Sequence, residues 1–403
     1  MNIVILGAGQ AAASLAAKLR ALGHQGGIAI IGDEPAPPYQ RPPLSKAYLL
    51  GDMGLDRLTL RAPEWWEEQR ITLHLGEKAL RIDRDRRVVV TDRGEHPYDQ
   101  LALTLGATPR RLPEAMGGAL PGVHVVRSLA DIAGLKPGLV AGRRLVVIGG
   151  GYIGLEAAAV ARKLGLEVTL VEAAPRILGR VAAPETAAMI RDLHTAHGVQ
   201  VLEGTGITRI TGQTAADGVE LADGRHLPAD LVICGIGIWP ETALAGAAGL
   251  TLNNGIATDG QGRTSDPAIW AAGDCASFPA PDTCPGGGQL RLESVGNAID
   301  MAEAVAANML GAGADYVPKP WFWSDQFDAK LQIAGLNLGY DRVVTRTAEP
   351  GGSVWYFRDG RLIAVDALND ARAYMIGKRL IEAGRSPTPE AVAEAGDLKA
   401  LMA

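Results

Sequence analysis

Cysteine is scarce in this chain of 403 residues, which contains only Cys234, Cys275 and Cys284. No two of them are separated by two residues, so the sequence lacks the C-x-x-C pair that forms a redox-active dithiol or half of a zinc site. We therefore predict neither a dithiol relay nor a metal site.

Long hydrophobic runs are also missing. The most apolar stretch, residues 145–161, is interrupted by four glycines and Glu156, and no run approaches the roughly 20 apolar residues that a membrane-spanning helix needs. The N-terminus runs from an apolar segment straight into Gly7, without the basic and apolar regions of a secretory signal. We expect a cytoplasmic protein without a membrane span.

There is no excess of basic charge. The chain has 39 Lys and Arg residues against 45 Asp and Glu, which gives a net charge of −6. The molecule as a whole therefore does not attract nucleic acid, and an acidic partner must bind a local basic patch. The length allows two or three domains, and 47% hydrophobic residues are enough for sizeable cores.

What the sequence does contain is a duplicated unit. An apolar run, a glycine cluster and a helical pattern occur twice, with Gly149 lying 142 positions after Gly7. In the first copy residues 3–6 lead into residues 7–12, and leucines then follow at helical spacing. In the second copy residues 145–148 lead into residues 149–154, a helix to about Leu164 and a strand at 167–171. Each copy predicts a strand, a tight turn and a helix.

Glycines at these positions are typical of dinucleotide binding. In the G-x-G-x-x-G pattern, the first glycine allows a tight turn, the second lets a pyrophosphate approach the backbone, and the third lets the helix pack closely on the strand. In the second copy Glu172 ends the following strand, 18 residues beyond Gly154. Its carboxylate can bond both hydroxyls of a ribose and would repel a 2′-phosphate, which favours NADH over NADPH.

The first copy departs from the pattern at its third glycine, where Ala12 stands. Alanine is tolerated there. The next strand, residues 28–31, ends in Gly32-Asp33-Glu34, so either acid could meet a ribose, and we favour Asp33. Two dinucleotide sites in one chain are explained economically by a resident FAD and an exchangeable nicotinamide dinucleotide. The Gly273-Asp274 pair after an apolar strand then fits a flavin's ribityl chain.

Several longer motifs resemble the flavoprotein ferredoxin reductases that serve bacterial cytochrome P450 and Rieske-type oxygenases. They cover nearly the whole chain: residues 41–46 (RPPLSK), 126–129 (VRSL), 149–156, 270–275, 293–298 and 321–326 (WFWSDQ). The resemblance implies an α/β protein with two Rossmann-like dinucleotide-binding domains, one for FAD and one for NAD, and a C-terminal α+β domain. It implies FAD domain boundaries at 1–110 and 235–319, an NAD domain at 111–234 and a C-terminal domain at 320–403.

The resemblance also implies residue roles. Lys46 and Arg127 would lie beside the flavin, Glu156 near the nicotinamide, and Trp323 or Trp321 near the flavin on the acceptor side. The full predicted FAD set is Gly7, Gly9, Ala11, Ala12, Asp33, Glu34, Arg41, Lys46, Arg127, Gly273, Asp274 and Val295. The full predicted NAD set is Gly149, Gly151, Ile153, Gly154, Glu156, Glu172 and Gly237.

The implied reaction needs no protein nucleophile, because hydride passes from NADH to the flavin, with Lys46, Glu156 and Trp323 in supporting roles. Electrons then pass singly to a [2Fe–2S] ferredoxin, for which Lys330, Arg372, Lys378 and Arg379 are candidate docking residues. The sequence leaves the oligomeric state open between monomer and weak dimer.

Related functions share this architecture. Disulfide reductases and NADH peroxidases or oxidases need cysteine near the flavin, and no cysteine precedes Cys234, which argues against them. Rubredoxin reductases and monodehydroascorbate reductases differ only in the acceptor. A different class is an NADH-binding flavoprotein sensor resembling apoptosis-inducing factor, in which NADH forms a long-lived complex with little turnover. A plain nucleotide-binding module would not need the second glycine site.

Overall fold

The computed structural model describes residues 1–281 and 284–402, which form two compact units. The first unit contains Met1–Gln40, Leu55–Thr108 and Trp239–Pro320. The second contains Arg41–Gly54, Pro109–Ile238 and the chain from Trp321 onward.

The first unit is built on a five-stranded parallel sheet. Its strand order is Ile269–Ala271, Gln100–Leu103, Ile3–Leu6, Ile28–Gly32 and Ile71–Leu75. The strands are nearly continuous apolar runs because both faces of a parallel sheet are buried. The alanine-rich helices Gln10–Ala21 and Val295–Met309 contact each other, and their small buried residues share one core with the strands.

Smaller elements complete this unit. An antiparallel three-stranded sheet contains Ala79–Asp83, Val88–Thr91 and Glu95–Pro97. A second small sheet contains Ile256–Ala257, Ala276–Pro279 and Gln289–Leu290. The remaining helices are Leu55–Leu58, Pro63–Glu68 and Ala243–Ala247. The short strands Ala107–Pro109 and Ile238–Pro240 occur where the chain passes from one unit to the other.

The second unit repeats the parallel architecture. Its first sheet has the order Gln200–Leu202, Glu167–Val171, Arg144–Ile148, Leu231–Cys234 and Val123–His124. The main helices of this part are Leu129–Leu135, Tyr152–Lys163 and Pro184–Ala196, and a small antiparallel sheet contains Ile207–Thr211, Gly218–Leu221 and His226–Pro228. Short helical turns lie at Pro42–Ser45, Ala47–Leu50, Glu114–Met116 and Lys136–Gly138.

The C-terminal part of the second unit is antiparallel. Its five strands have the order Trp321–Gln326, Ala329–Gly335, Arg361–Leu368, Gly351–Arg358 and Arg342–Ala348. Helix Ala371–Glu382 packs on this sheet, followed by Pro389–Glu394 and the 3-10 turn Leu398–Met402. Asp359 and Gly360 both have positive φ angles and form a tight hairpin turn, as Asp-Gly pairs favour.

The predicted fold class is confirmed, with two parallel-sheet nucleotide-binding architectures and an α+β C-terminal part. Both predicted strand–turn–helix copies are present, at Ile3–Ala21 and Arg144–Lys163. Across the described residues, none of the helices combines the length and apolar character needed to cross a membrane.

Candidate functional site

The first glycine turn is shaped by close backbone approach. Gly7 has a φ of +98°, and a Cβ placed on it would lie 2.3 Å from the carbonyl oxygen of Thr104. Gly9 precedes helix Gln10–Ala21, and no side chain caps that helix start in the described structure. Ala11 and Ala12 are buried directly behind the turn. The backbone N–H groups of such a helix start can bind phosphate oxygens.

Further predicted flavin residues lie at the same edge of the sheet. Gly273 follows strand Ile269–Ala271 with a φ of +81°, and a Cβ on it would lie 3.2 Å from the Cβ of Ala11 and 3.9 Å from that of Ala298. Val295 begins the helix that contains Ala298. The structure therefore brings Gly7, Ala11 and Gly273 together with two helix starts. Asp274 accepts a hydrogen bond from Arg291 on its backbone carbonyl.

The two acids after strand Ile28–Gly32 differ in their surroundings. Glu34 Oε2 accepts a 2.6 Å hydrogen bond from the Tyr39 hydroxyl, whereas Asp33 is exposed. The choice of Asp33 over Glu34 as the ribose ligand stays a prediction.

The second glycine turn is also shaped by close backbone approach. A Cβ on Gly149 would lie 2.4 Å from the Gly235 carbonyl oxygen, and one on Gly154 would lie 2.2 Å from the Gly149 carbonyl oxygen. Gly151 precedes helix Tyr152–Lys163, and a Cβ on it would meet no described atom within 4 Å. Gly149 and Gly154 are thus required by packing, while Gly151 leaves open space in front of the helix start. Ile153, in the first turn, is 44% exposed.

Glu172 is bonded to this turn. Its Oε2 accepts from the Gly150 N–H at 2.7 Å and its Oε1 accepts from the Ala174 N–H at 2.7 Å. The carboxylate is therefore fixed in orientation, and each oxygen keeps one lone pair for a further donor. Gly237, beyond the neighbouring strand, has a φ of +101°, and the arginines nearest to its Cβ position are Arg110 and Arg180 at 3.7 Å.

Three of the motifs meet at one buried carboxylate. Glu156 is 1% exposed, and its Oε2 lies 2.7 Å from Lys46 Nζ and accepts a 2.5 Å hydrogen bond from Ser45. Its Oε1 accepts a 2.6 Å hydrogen bond from Ser324. Ser45 and Lys46 come from the RPPLSK turn, Glu156 from the second glycine helix, and Ser324 from the WFWSDQ strand. The sequence pointed to Lys46 and Glu156 but not to either serine as a partner.

The pKa of Glu156 is set by opposing effects. Burial raises its pKa, while the Lys46 ammonium and the hydrogen bonds from Lys46, Ser324 and Ser45 lower it, and burial is the larger effect.

The hydrogen-bond network extends beyond Ser324, because Gln326 donates to Ser324 Oγ at 3.0 Å and His194 Nε2 lies 2.7 Å from Gln326 Oε1. Burial lowers the pKa of His194 to about 4, so the imidazole is neutral at pH 7.

The aromatic strand presents two faces. Trp321 and Trp323 stack with ring centroids 5.4 Å apart, while Phe322 packs on Tyr152 at 4.7 Å. Strand residues alternate in this way. All three strand aromatics are only half-buried.

Arg41 and Arg127, two of the predicted flavin residues, are adjacent, because Arg41 Nη1 donates to the Arg127 carbonyl oxygen at 2.8 Å.

The candidate docking cations are mostly balanced by acids. Lys330 lies 3.8 Å from Asp325, Arg372 lies 3.6 Å from Asp397, and Lys378 lies 2.7 Å from Glu382. Arg379 belongs to the same helix as Arg372 and Lys378. Because three of the four cations have an acid within 4 Å, the four residues together carry less net positive charge than their basic side chains alone suggest.

Two of the three cysteines, Cys234 and Cys275, are unsuited to redox chemistry. Cys234 and Cys275 are buried, and burial raises the pKa of each thiol to about 11. Since the thiolate is the reactive form, both are inert at neutral pH.

Comparison with known proteins agrees with these features. Residues 1–302 match the family described as pyridine nucleotide-disulphide oxidoreductase, and residues 321–402 match the one described as reductase C-terminal. Rhodocoxin reductase of Rhodococcus erythropolis is 42% identical, covering 100% of this chain and 95% of the relative. Putidaredoxin reductase of Pseudomonas putida is 42% identical, covering 94% of this chain and 91% of the relative.

Two solved structures of ferredoxin reductases are also similar to this chain over its full length. The chain matches the covalent putidaredoxin reductase–putidaredoxin complex with a TM-score of 0.95 and 40% identity, covering 100% of this chain and 98% of that chain. It matches the ferredoxin reductase for the CYP199A2 system from Rhodopseudomonas palustris with a TM-score of 0.94 and 40% identity, covering 100% of both chains.

Proposed function

Because the chain belongs to the pyridine nucleotide-disulphide oxidoreductase family, among its flavoprotein ferredoxin reductases, we propose that it oxidises NADH through bound FAD and reduces a [2Fe–2S] ferredoxin. The ferredoxin then feeds a cytochrome P450 or Rieske-type oxygenase. The observation that carries this proposal is the convergence of Lys46, Ser45 and Ser324 on buried Glu156, directly behind the second glycine turn.

The first glycine turn suits the pyrophosphate of FAD. Gly7 permits the turn, Ala11 and Gly273 are small, and helix Gln10–Ala21 directs backbone N–H groups outward. Asp33 is proposed for the adenosine ribose, Asp274 for the ribityl chain and Val295 for backbone contact. When bound, FAD supplies the chemistry that the chain lacks, because it accepts two electrons as hydride and returns them one at a time.

The second glycine turn suits NADH. Gly149 and Gly154 create the turn, Gly151 leaves space for the pyrophosphate, and Glu172 holds a fixed negative charge beside it. A carboxylate accepts hydrogen bonds from ribose hydroxyls and repels a 2′-phosphate. We therefore propose NADH as the electron donor rather than NADPH.

The proposed role of Glu156 is to position the nicotinamide. Lys46 and the two serines fix both carboxylate oxygens, so the group offers a preorganised acceptor to a carboxamide or ribose donor. The same lysine, with Arg41 and Arg127, is proposed to contact the flavin and its phosphates. A cation there favours negative charge on the cofactor.

For electron delivery we propose Trp323 as the aromatic nearest the flavin on the acceptor side. The stacking of Trp321 on Trp323 supports this role by holding the indole in one orientation. Lys330, Arg372, Lys378 and Arg379 are proposed to guide the ferredoxin. Charge reversal of Lys378 and Arg379 together should raise the KM for ferredoxin at low salt and leave the KM for NADH unchanged; an unchanged ferredoxin KM would remove this patch from the proposal.

Turnover tests the proposal as a whole. The FAD-loaded protein, NADH and a [2Fe–2S] ferredoxin should reduce cytochrome c at a rate that saturates with ferredoxin. A non-enzymatic NADH sensor would instead give a negligible ferredoxin-dependent rate. Substituting rubredoxin or monodehydroascorbate for ferredoxin distinguishes the neighbouring reductase activities, because the true acceptor gives the highest kcat/KM.

A further inference from the structure

Two imidazoles and a carboxylate meet in the first unit, near the end of strand Ile71–Leu75. His74 is the last residue but one of the parallel strand Ile71–Leu75, Glu77 follows that strand, and His96 lies on the hairpin strand Glu95–Pro97. His74 Nδ1 is 3.3 Å from Glu77 Oε2, and His96 Nε2 is 2.6 Å from Glu77 Oε1. One nitrogen or oxygen atom from each residue lies within 4.8 Å of the others.

The carboxylate at the centre of this cluster is buried and oriented. Glu77 is 4% exposed, and its Oε1 accepts a 2.6 Å hydrogen bond from Thr91 Oγ1. That hydroxyl is fixed in turn, because it accepts from the N–H groups of Arg93 and Gly94 at 3.1 and 3.0 Å.

The backbone around the cluster is held by several hydrogen bonds. Arg93 donates to the Gly76 carbonyl at 2.6 Å and to the Leu75 carbonyl at 3.3 Å. The Glu77 N–H donates to the Gly32 carbonyl at 2.9 Å. The strand end that carries His74 and the hairpin that carries His96 are thereby tied to each other, so their side chains are presented from a rigid frame.

We propose that His74, Glu77 and His96 form a binding site for one divalent transition-metal ion of the Zn²⁺ class. Imidazole nitrogen and carboxylate oxygen are ordinary Zn²⁺ ligands, and two histidines with one glutamate leave a fourth position for water. The ligand atoms are His74 Nδ1, His96 Nε2 and one oxygen of Glu77.

The spacing suits such an ion. Ligands about 2.1 Å from a tetrahedral ion are about 3.4 Å from each other, and the His74–Glu77 pair is already 3.3 Å apart. That pair involves Glu77 Oε2, whereas His96 Nε2 lies 2.6 Å from Oε1 and must exchange this hydrogen bond for a bond to the metal. The imidazoles are 31% and 17% exposed, which leaves a path for the ion.

The negative charge of Glu77 is a further reason to expect a metal ion at this cluster. Glu77 is a buried carboxylate, and burying a carboxylate without a compensating cation is costly. Arg93 is the cation that frames the cluster, and its guanidinium is committed to the carbonyls of Leu75 and Gly76. A divalent ion would compensate Glu77 directly.

The site is tested by metal titration of the full FAD-loaded protein. The protein is first treated with a chelator and desalted. Zn²⁺ should bind with one-to-one stoichiometry by calorimetry, and Co²⁺ should produce visible absorption at wavelengths beyond the flavin bands. His74→Asn and His96→Gln should each weaken Zn²⁺ binding at least tenfold, because each removes one of three ligands. His226→Gln, at an exposed histidine bonded to Thr211, is the matched control and should not change the affinity.

Folding of the variants is checked independently. FAD content and circular dichroism report whether each variant retains its structure, and Zn²⁺ should raise the unfolding temperature of the parent and the control variant only. Glu77→Gln provides a second loss of ligand without a change in size. Absence of one-to-one binding in the folded parent protein, or binding that survives both ligand-histidine variants, would overturn the proposal.

Discussion

At the scale of single residues, Glu156 shows what could be predicted from the sequence and what could not. A glutamate among alanines in a helix behind a glycine turn already indicates a special role, because an uncompensated charge there would be costly. The sequence could not identify Ser45 and Ser324 as its hydrogen-bond donors, because these residues are 111 and 168 positions away in the chain. Only tertiary packing brings them together.

The cluster of His74, Glu77 and His96 left no recognisable signal in the sequence. Its three members come from a strand end, a connection and a hairpin, and their spacing matches no metal-ligand pattern that we could apply. The prediction of no metal site rested on cysteine alone. The structure supplies the missing information, which is the pairing of the hairpin strands and the hydrogen bonds of Arg93.

Glu172 gives a prediction about coenzyme choice. Replacing Glu172 with Gln removes the negative charge and keeps an oxygen acceptor for only one of the two N–H groups, those of Gly150 and Ala174, that Glu172 binds. We expect the ratio of kcat/KM for NADPH to that for NADH to rise about tenfold, which corresponds to about 1.4 kcal/mol. Steady-state kinetics with both coenzymes measures this ratio, and an unchanged ratio would show that Glu172 does not face the ribose.

Asp366 gives a prediction about pH. Burial raises the pKa of this carboxyl to about 6, although Tyr356 and Thr186 donate hydrogen bonds to it. The folded state therefore holds the proton more tightly than the unfolded state. The resulting stabilisation is fully present below about pH 4 and is lost as the pH rises through about 6.

The matching variant is Asp366→Asn, which is neutral at every pH and keeps an oxygen acceptor. We expect the free energy of unfolding of the parent minus that of the variant to fall by about 2 kcal/mol between pH 4 and pH 7. Urea unfolding of both proteins across this range measures the difference. A difference that does not vary with pH would contradict the assignment.

At the scale of elements, the two strand–turn–helix copies were predictable because their signals are local. Continuous apolar runs, glycines at fixed spacing and helical periodicity all lie within about 20 residues of one another. Short strands such as Val123–His124 and Gln200–Leu202 were not predicted. Each has two or three residues and exists because a longer neighbour offers an edge, which no local pattern records.

The second glycine turn gives a paired prediction. A Cβ at position 154 would lie 2.2 Å from the Gly149 carbonyl, so Gly154→Ala should lower the free energy of unfolding by about 1–3 kcal/mol. Gly151→Ala meets no described atom within 4 Å and should change stability by less than about 0.5 kcal/mol.

NADH binding separates the two variants further. Gly151→Ala should raise the KM for NADH about tenfold or more, because the methyl group occupies the space proposed for the pyrophosphate. Denaturant unfolding and steady-state kinetics are the two measurements. A Gly151→Ala variant with normal NADH kinetics would argue against pyrophosphate binding at this turn.

At the scale of the whole molecule, the duplication and the fold class followed from the sequence, and the domain boundaries stay a prediction. The segment Arg41–Gly54, which we assigned to the FAD domain, clusters with the second unit. The physical reason is the contact of Ser45 and Lys46 with Glu156. These bonds join residues that are more than 100 positions apart in the chain, so no local pattern in the sequence indicates them.

The central claim is that the whole chain passes electrons from NADH to a ferredoxin, and an anaerobic absorbance titration tests it most directly. NADH should bleach the visible flavin band of the purified FAD-loaded protein, and oxidised [2Fe–2S] ferredoxin added next should restore that band while its own absorbance falls. A stable long-wavelength complex with NADH that persists when ferredoxin is added would contradict the account.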